Sequence, residues 1–304
     1  MHKEKKAKEK KASKGRTIFH GMVGIVTILL AHFSGLSEIE QVAFAETASW
    51  WGFCLDVMRC VLYRILISRW YTAFCNRKLE FRNPVLATVS VLVLLARWFK
   101  WFALLLEKIL RKLGILREYE RDTLSALTPF ALGIHVPLML GVPVYAVVAG
   151  VIILSFGDPA ARERAKRRAK KESEPLPTVF EGGKKTWMGY RGFCEFSALG
   201  IVASSALDLA GFKVYPEVHF LIIIIGFAAG ITLSGLAEIG QEWVEKKINK
   251  IRITSVRWLL NLLLDDNFVV PATAAISIGV IIGPATSTLE TVINHMLSFS
   301  LLLS

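Results

Sequence analysis

Apolar residues run along this chain in long blocks broken by short polar stretches, rather than in the strict alternation of half-buried strands. A bilayer core takes about 20 apolar residues per helix, with a range of about 17–25. The blocks are Thr17–Gly35, Ser49–Ile67, Leu124–Gly141, Pro143–Phe156, Phe193–Gly211, Val218–Leu236, Phe268–Gly283 and Thr286–Leu303. They predict an all-α fold: a polytopic transmembrane helical bundle of about eight spans, within about seven to nine. The block ending at Phe156 is short and uncharged, and Pro129, Pro137 and Pro143 lie close by. Broken or re-entrant helices are expected there. Pro84–Leu116 is ambiguous. Its first half is apolar, whereas its second half sets Arg97, Lys100, Lys108, Arg111 and Lys112 among Trp98, Phe99 and Trp101, as an interfacial helix does.

Charge sharpens the picture. Lys+Arg number 37 against 25 Asp+Glu, a formal net charge of +12, while hydrophobic residues make up 53% of the 304 residues. Mean hydropathy is +0.47. Residues 1–16 carry eight Lys/Arg and two Glu, and residues 158–192 carry ten Lys/Arg and five Asp/Glu. Basic blocks abutting apolar spans read as membrane orientation and anionic-lipid contact, not as nucleic-acid binding. Soluble enzymes, disulfide-framed secreted domains and coiled coils do not fit this distribution. The expected organisation is a disordered basic arm, 1–16, and a single polytopic membrane domain, 17–304. Its cytoplasmic loops are 68–83, 107–122, 158–192 and 237–266 by the positive-inside rule. Pro84–Leu116, flanked by two such loops, is then expected to dip in or lie flat, and Glu38, Glu40 and Glu46 to lie in an outside loop. The N-terminal pattern with Ala43-Phe44-Ala45 also has the outline of a signal peptide, but its apolar run is long and the cleavage site is far beyond it. Cys54, Cys60, Cys75 and Cys194 form no CxxC pair and read as reduced structural thiols.

Four polar groups at block ends are candidates for chemistry. At Gly157-Asp158-Pro159 an apolar run ends in a carboxylate; Asp followed by Pro is equally a helix start, with Asp158 as N-cap and Pro159 at the first helical position. Gly182-Gly183-Lys184-Lys185-Thr186 suits phosphate binding by backbone N–H groups and ammonium charge, or is a positive-inside loop. Arg162–Lys171 reads more strongly as such a loop. Asp265-Asp266-Asn267 offers hard oxygen ligands for Mg²⁺, or an N-cap at Asp266 or Asn267. Glu238, Glu242 and Glu245 share one helical face. Glu245 reads as solvated, and Glu238, beside an apolar run, as functional. His20 and Asp208 are single polar residues that read as satisfied structural groups.

Taken in order, these pieces resemble the membrane family of CTP-dependent polyprenol and dolichol kinases, phytol kinases and CTP-dependent diacylglycerol kinases. Arg16-Thr17-Ile18-Phe19-His20 resembles the family's start of the first helix. Glu120-Arg121-Asp122-Thr123, with Phe130 and Gly133, resembles the segment before its central helices. Gly157-Asp158-Pro159-Ala160-Ala161 is similar to its Gly-Asp motif, and Lys184-Lys185-Thr186 with Gly189 to its lysine motif. Asp265-Asp266-Asn267 and Pro271 resemble its C-terminal segment. The chain departs from the pattern in Arg162-Glu163-Arg164-Ala165-Lys166, at Met188 and at Tyr190.

The resemblance implies a lipid kinase using CTP and Mg²⁺, with an isoprenoid alcohol as acceptor at the cytoplasmic face. It implies Asp158 and Asp266 as catalytic residues and Asp158, Asp265 and Asp266 as metal ligands. It assigns Gly157, Lys184, Lys185, Thr186, Gly189, Arg191 and Asn267 to nucleotide or phosphate. His20, Glu238 and Glu242 stand as further candidates. The expected partners are a membrane lipid and a nucleotide, with no nucleic acid. Two other readings remain open at this point: a cytidylyltransferase making a CDP-lipid from a phosphatidate-like lipid, and a non-catalytic scaffold or transporter.

Overall fold

The computed structural model describes residues 20–76, 84–112, 125–169, 177–179, 183, 185–211, 214–216, 220–248 and 253–302. Their regular structure is helical: α1 (His20–Phe33), α2 (Glu38–Ile67), α3 (Arg69–Cys75), α4 (Pro84–Lys112), α5 (Leu127–Met139), α6 (Val144–Ala169), α7 (Trp187–Leu209), α8 (Phe220–Ile248), α9 (Thr254–Leu263) and α10 (Asp266–Leu302). Five stretches are long and apolar enough to cross a membrane: Ala87–Leu105, Val144–Ala169, Trp187–Leu209, Phe220–Ile248 and Asp266–Pro284. The chain therefore has the helices of a polytopic membrane protein.

The elements depart from the expected blocks in instructive ways. The 13-residue α5 spans about 20 Å, short of the roughly 30 Å bilayer core, and runs unbroken through Pro137. Its neighbour α6 is not short: the helix runs straight through Asp158-Pro159 to Ala169. Pro159 cannot donate to the carbonyl one turn back, yet that single missing bond does not stop the helix. The last two blocks are one continuous 37-residue helix, α10, about 55 Å long. Residues 84–112, expected to dip or lie flat, form one unbroken helix.

Within the loops expected at 158–192 and 237–266, residues 158–169, 187–192, 237–248 and 254–263 are helical, because α6 and α8 continue past their apolar sections and α7 and α9 begin there. The acidic loop is also absent. Glu38, Glu40 and Glu46 lie within α2, whose start is a capping box: Ser37 N and Oγ both donate to Glu40 Oε2, at 2.8 and 2.7 Å. The arm 1–16, the start of the first motif before His20, Glu120–Thr123 and the basic positions Arg111 and Lys112 as side chains lie outside the described residues.

By their contacts the described residues divide into two units, 51–128 and 20–50 with 129–304. In the first, buried Asp56 pairs with Arg59 at 2.8 Å and accepts from Ser125 N at 2.7 Å and Thr128 Oγ1 at 2.6 Å. Tyr71 Oη donates to the Ala96 carbonyl and Arg97 Nε to that of Cys75, each at 2.7 Å, tying α3 to α4.

The second unit is built around α6, which packs against α7, α8 and α10. Ala146 and Ala149 of α6 and Ala274 and Ala275 of α10 are fully buried. Small residues let these backbones approach, the usual means by which membrane helices associate. Ile152, Ile153, Leu154, Phe193, Val270 and Ile278 fill the core around them. Far along α1, His32 Nε2 lies 2.9 Å from Ser204 Oγ, to which Tyr215 Oη donates at 2.8 Å. Asp208 accepts from Val214 N and Tyr215 N, the structural role expected of it. None of the four cysteines is in a disulfide.

Candidate functional site

Five helices bring polar side chains together in the second unit, α1, α7 and α10 from their N-terminal ends and α6 and α8 from their interiors. α6 brings Asp158 and, one turn on, Arg162, since residues four apart share a helical face. α7 brings its N-terminus, with Lys185 just before it. α8 brings Glu238 and Glu242, α10 begins at Asp266, and α1 brings His20.

Arg162 Nη2 bonds Asp158 Oδ2 and lies 3.6 Å from Asp266 Oδ2, so a single guanidinium bridges α6 and α10. His20 Nε2 is 3.9 Å from the same Asp158 oxygen. Lys185 Nζ pairs with Glu238 Oε1, and Lys185 N donates to Glu242 Oε2 at 3.2 Å. Asp158 is 1% exposed and Glu238 5%. Carboxylates this deep in spanning helices are costly unless compensated. Here three acids, Asp158, Asp266 and Glu238, face two fixed cations, Arg162 and Lys185. Burial works against the Lys185 ammonium, but Glu238, reinforced by Asp266 and Asp158, outweighs it and raises its pKa. Lys185 is therefore charged at neutral pH. Asp158 Oδ1 is buried with no hydrogen-bond partner among the described residues.

A cavity of about 120 Å³ opens beside these pairs, between α6, α7 and α8, with Arg162, Lys185, Thr186, Gly189, Tyr190 and Glu238 in its wall. Thr186 caps α7 by accepting from Gly189 N at 3.1 Å. The partial positive end of α7 and two cations thus face one small space, an arrangement suited to a phosphate group. Tyr190, a departure from the family pattern, fits because its ring lies on Gly235. A Cβ there would sit 2.8 Å from Tyr190 Cε2.

Gly157 has a similar role at the α6–α7 crossing, where a Cβ would lie 2.7 Å from the Phe193 ring and closer still to Ser197 Oγ. Gly157→Ala is expected to lower stability by about 1–3 kcal/mol through overpacking. Gly240→Ala, which meets nothing within 4 Å, should leave it equal or slightly higher. Thermal unfolding of both variants in detergent checks this pair.

The structure sorts the sequence candidates. Asp158 is not a helix cap, because it lies inside α6. Nor do Asp266 and Asn267 cap α10; Asp265 does. Its carbonyl accepts from Val269 N at 2.9 Å and its Oδ1 from Asn267 N at 2.9 Å. Asn267, 1% exposed, also turns Nδ2 to both Asp265 and Asp266. Glu245 is exposed, as expected. Arg191 is turned away: it is exposed and bonds Glu195 at 2.7 Å along its own helix. Lys184 and Gly182 lie outside the described residues. Arg162, absorbed into a basic run in the sequence, is the residue that sequence reasoning missed. The available signal was its spacing of four from Asp158, the helical ion-pair distance.

Burial, and then the charge of Asp266, push the Asp265 carboxyl up to about 7 from 3.8, with the Asn267 bonds opposing. A raised acid favours the fold while protonated, so stability from this group falls as pH rises from about 4 to about 7. Asp265→Asn, which caps as well and cannot ionise, is expected to flatten that slope. Melting curves at pH 5 and pH 8 in a chelator, for wild type and variant, measure it.

Among the described residues no group of three or more His, Cys, Asp or Glu is placed to hold a metal ion. Compared with family models, curated proteins and solved structures, the chain matches none.

Proposed function

We propose that the chain is a CTP-dependent lipid kinase, transferring the γ-phosphoryl group of CTP to the hydroxyl of a polyprenol- or dolichol-type isoprenoid alcohol at the cytoplasmic membrane face. The observation that carries this reading is a phosphate-sized cavity at the N-terminus of α7 walled by Arg162, Lys185 and Glu238, with Arg162 in turn paired to Asp158 and close to Asp266. A scaffold would have no use for charges buried at such cost in apolar helices. The ordered resemblance of the motifs supports CTP and the isoprenoid acceptor.

Phosphoryl transfer asks a protein mainly for positioning and charge neutralisation. Lys185, helped by the partial positive charge at the N-terminal end of α7, binds phosphate oxygens, and Lys184, its neighbour in the motif, adds a second ammonium. The acceptor oxygen attacks the γ-phosphorus and the bond to the β-bridging oxygen breaks. CDP leaves, and the hydroxyl proton passes to a carboxylate of the cluster. Asp158 and Asp266 suit Mg²⁺ carried in on the nucleotide, because such sites use one or two carboxylates plus phosphate oxygens. The buried, unpartnered Asp158 Oδ1 fits that role. When bound, the ion neutralises phosphate charge. Asp265, committed to capping α10, and Asn267 hold Asp266 in place. Trp187 and Trp243 are exposed, with Lys247 over the Trp243 ring at 3.6 Å. Aromatic and basic residues of this kind favour a membrane–water interface, where a lipid hydroxyl would meet a soluble nucleotide.

The test supplies purified protein with CTP labelled at the α- or γ-position and with polyprenol, dolichol, diacylglycerol or phosphatidate. The kinase reading expects γ-label in polyprenol or dolichol and release of CDP. α-Label in lipid with release of pyrophosphate would make the protein a cytidylyltransferase. Label in no lipid would leave the scaffold or transporter reading.

A further inference from the structure

Arg162 opens a basic run, and the position of its side chain is unlike that of its neighbours Arg164 and Arg167. Arg167 bonds Glu163 on the exposed face, and Arg164 turns to Glu195. Arg162 instead reaches inward. It bonds Asp158 on its own helix, stands 3.6 Å from Asp266 at the start of α10, and forms part of the cavity wall that also holds Lys185. Asp158 and Asp266 are the two carboxylates that the kinase reading assigns to a nucleotide-borne divalent ion, and the Arg162 guanidinium contacts the first and stands close to the second.

We infer that Arg162 is a resident placeholder cation: it occupies the space between Asp158 and Asp266 in the nucleotide-free protein and turns to the phosphates when a metal–nucleotide complex arrives. The inference rests on the kinase reading for its second half only. Three physical points carry it. Two carboxylates on different helices, one of them nearly fully buried, repel unless a cation lies between them. Arg162 supplies that cation from inside the chain, so α6 and α10 stay together without bound metal. Its side chain is 30% exposed, against 2% for Asp158, so the arginine can move where the carboxylate cannot. It also borders the cavity, so a modest rotation is enough to exchange carboxylate oxygens for phosphate oxygens, which its planar fork matches equally well. A phosphate arriving with its own cation brings both partners of that exchange at once.

The consequence is a specific order of binding. Metal alone must displace a covalently tethered guanidinium and should bind poorly, whereas metal with nucleotide should bind well. Removing the guanidinium should invert the first of these. The experiment measures Mn²⁺ binding by electron paramagnetic resonance without nucleotide, and CTP binding in the presence of Mg²⁺. It uses folded, monodisperse wild type, Arg162→Gln, Arg162→Lys and the double variant Arg162→Gln/Asp158→Asn. Wild type is expected to take up no Mn²⁺ below millimolar concentration. Arg162→Gln should gain a site at least tenfold tighter, lost again in the double variant, and its CTP affinity should fall at least tenfold. Arg162→Lys, which keeps the charge without the fork, should fall between the two. Equal Mn²⁺ uptake by wild type and Arg162→Gln would overturn the inference, as would a gained site that survives loss of Asp158. If wild type binds no CTP but Arg162→Gln still gains the Mn²⁺ site, the placeholder role stands and the kinase reading falls. If wild type phosphorylates lipid and Arg162→Gln changes neither binding measurement, the kinase reading stands and the placeholder role falls.

Discussion

Asp158→Asn is expected to lower lipid phosphorylation about 10²-fold or more per folded molecule. A transition state for phosphoryl transfer concentrates negative charge, and one preorganised electrostatic contact in such a site is worth about 2.7–4 kcal/mol. Asn matches Asp in shape and volume, so packing inside α6 is kept. What it loses is the charge that faces Arg162 and His20. A cost in stability of about 1–3 kcal/mol should accompany this, less than for a fully buried pair, because Arg162 is partly exposed and keeps Asp266 nearby. Rates must therefore be normalised to folded protein. An effect limited to that stability loss would mean that Asp158 serves only the helix packing.

Asp266→Asn is expected to reduce the rate by a similar factor, about 10²-fold, while Asp265→Asn reduces it only a few-fold. The two residues are adjacent and chemically identical, and the sequence treated them as one metal-binding pair. The structure separates them. Asp265 spends its oxygen on the first N–H groups of α10, a role Asn fills as well. Asp266 faces Arg162 across the helix boundary. Initial rates of the two variants, at one Mg²⁺ concentration and equal folded protein, decide the matter. Equal losses would return Asp265 to the reacting centre, and equal silence would remove both.

Much of the helical architecture was legible in the chain because apolar run length is a strong signal and a bilayer sets one length scale. The boundaries were less so, and each failure has a cause. At Asp158-Pro159 two local start signals coincided, but the helix is held by packing on both sides, and tertiary contact outweighs one lost backbone bond. Between Gly283 and Thr286 the apolar pattern was divided into two blocks, yet Pro284 lies within α10. Polar residues after Leu236 and Phe156 read as loops because hydropathy ends where the membrane does, whereas helices do not. Arg162 was hidden by its neighbours: five basic residues within 162–168 look alike in composition, and only the fold shows which of them turns inward. The pairing of Lys185 with Glu238 was likewise out of reach, since no local rule joins residues 53 positions apart. By contrast, the joint assignment of Asp158, Lys185, Asp266 and Asn267 to one region came from motif order, and the structure does bring them together.

The central claim is that this cluster moves a phosphoryl group from nucleotide to lipid. The most direct measurement follows the label of γ-labelled CTP into the lipid fraction with polyprenol as acceptor, for wild type and Asp158→Asn side by side at equal folded protein. The account predicts labelled polyprenyl phosphate from wild type, in step with CDP release, and at most about one hundredth of that from the variant. Equal labelling by both proteins, or label that never enters the lipid fraction of the wild type, would contradict it.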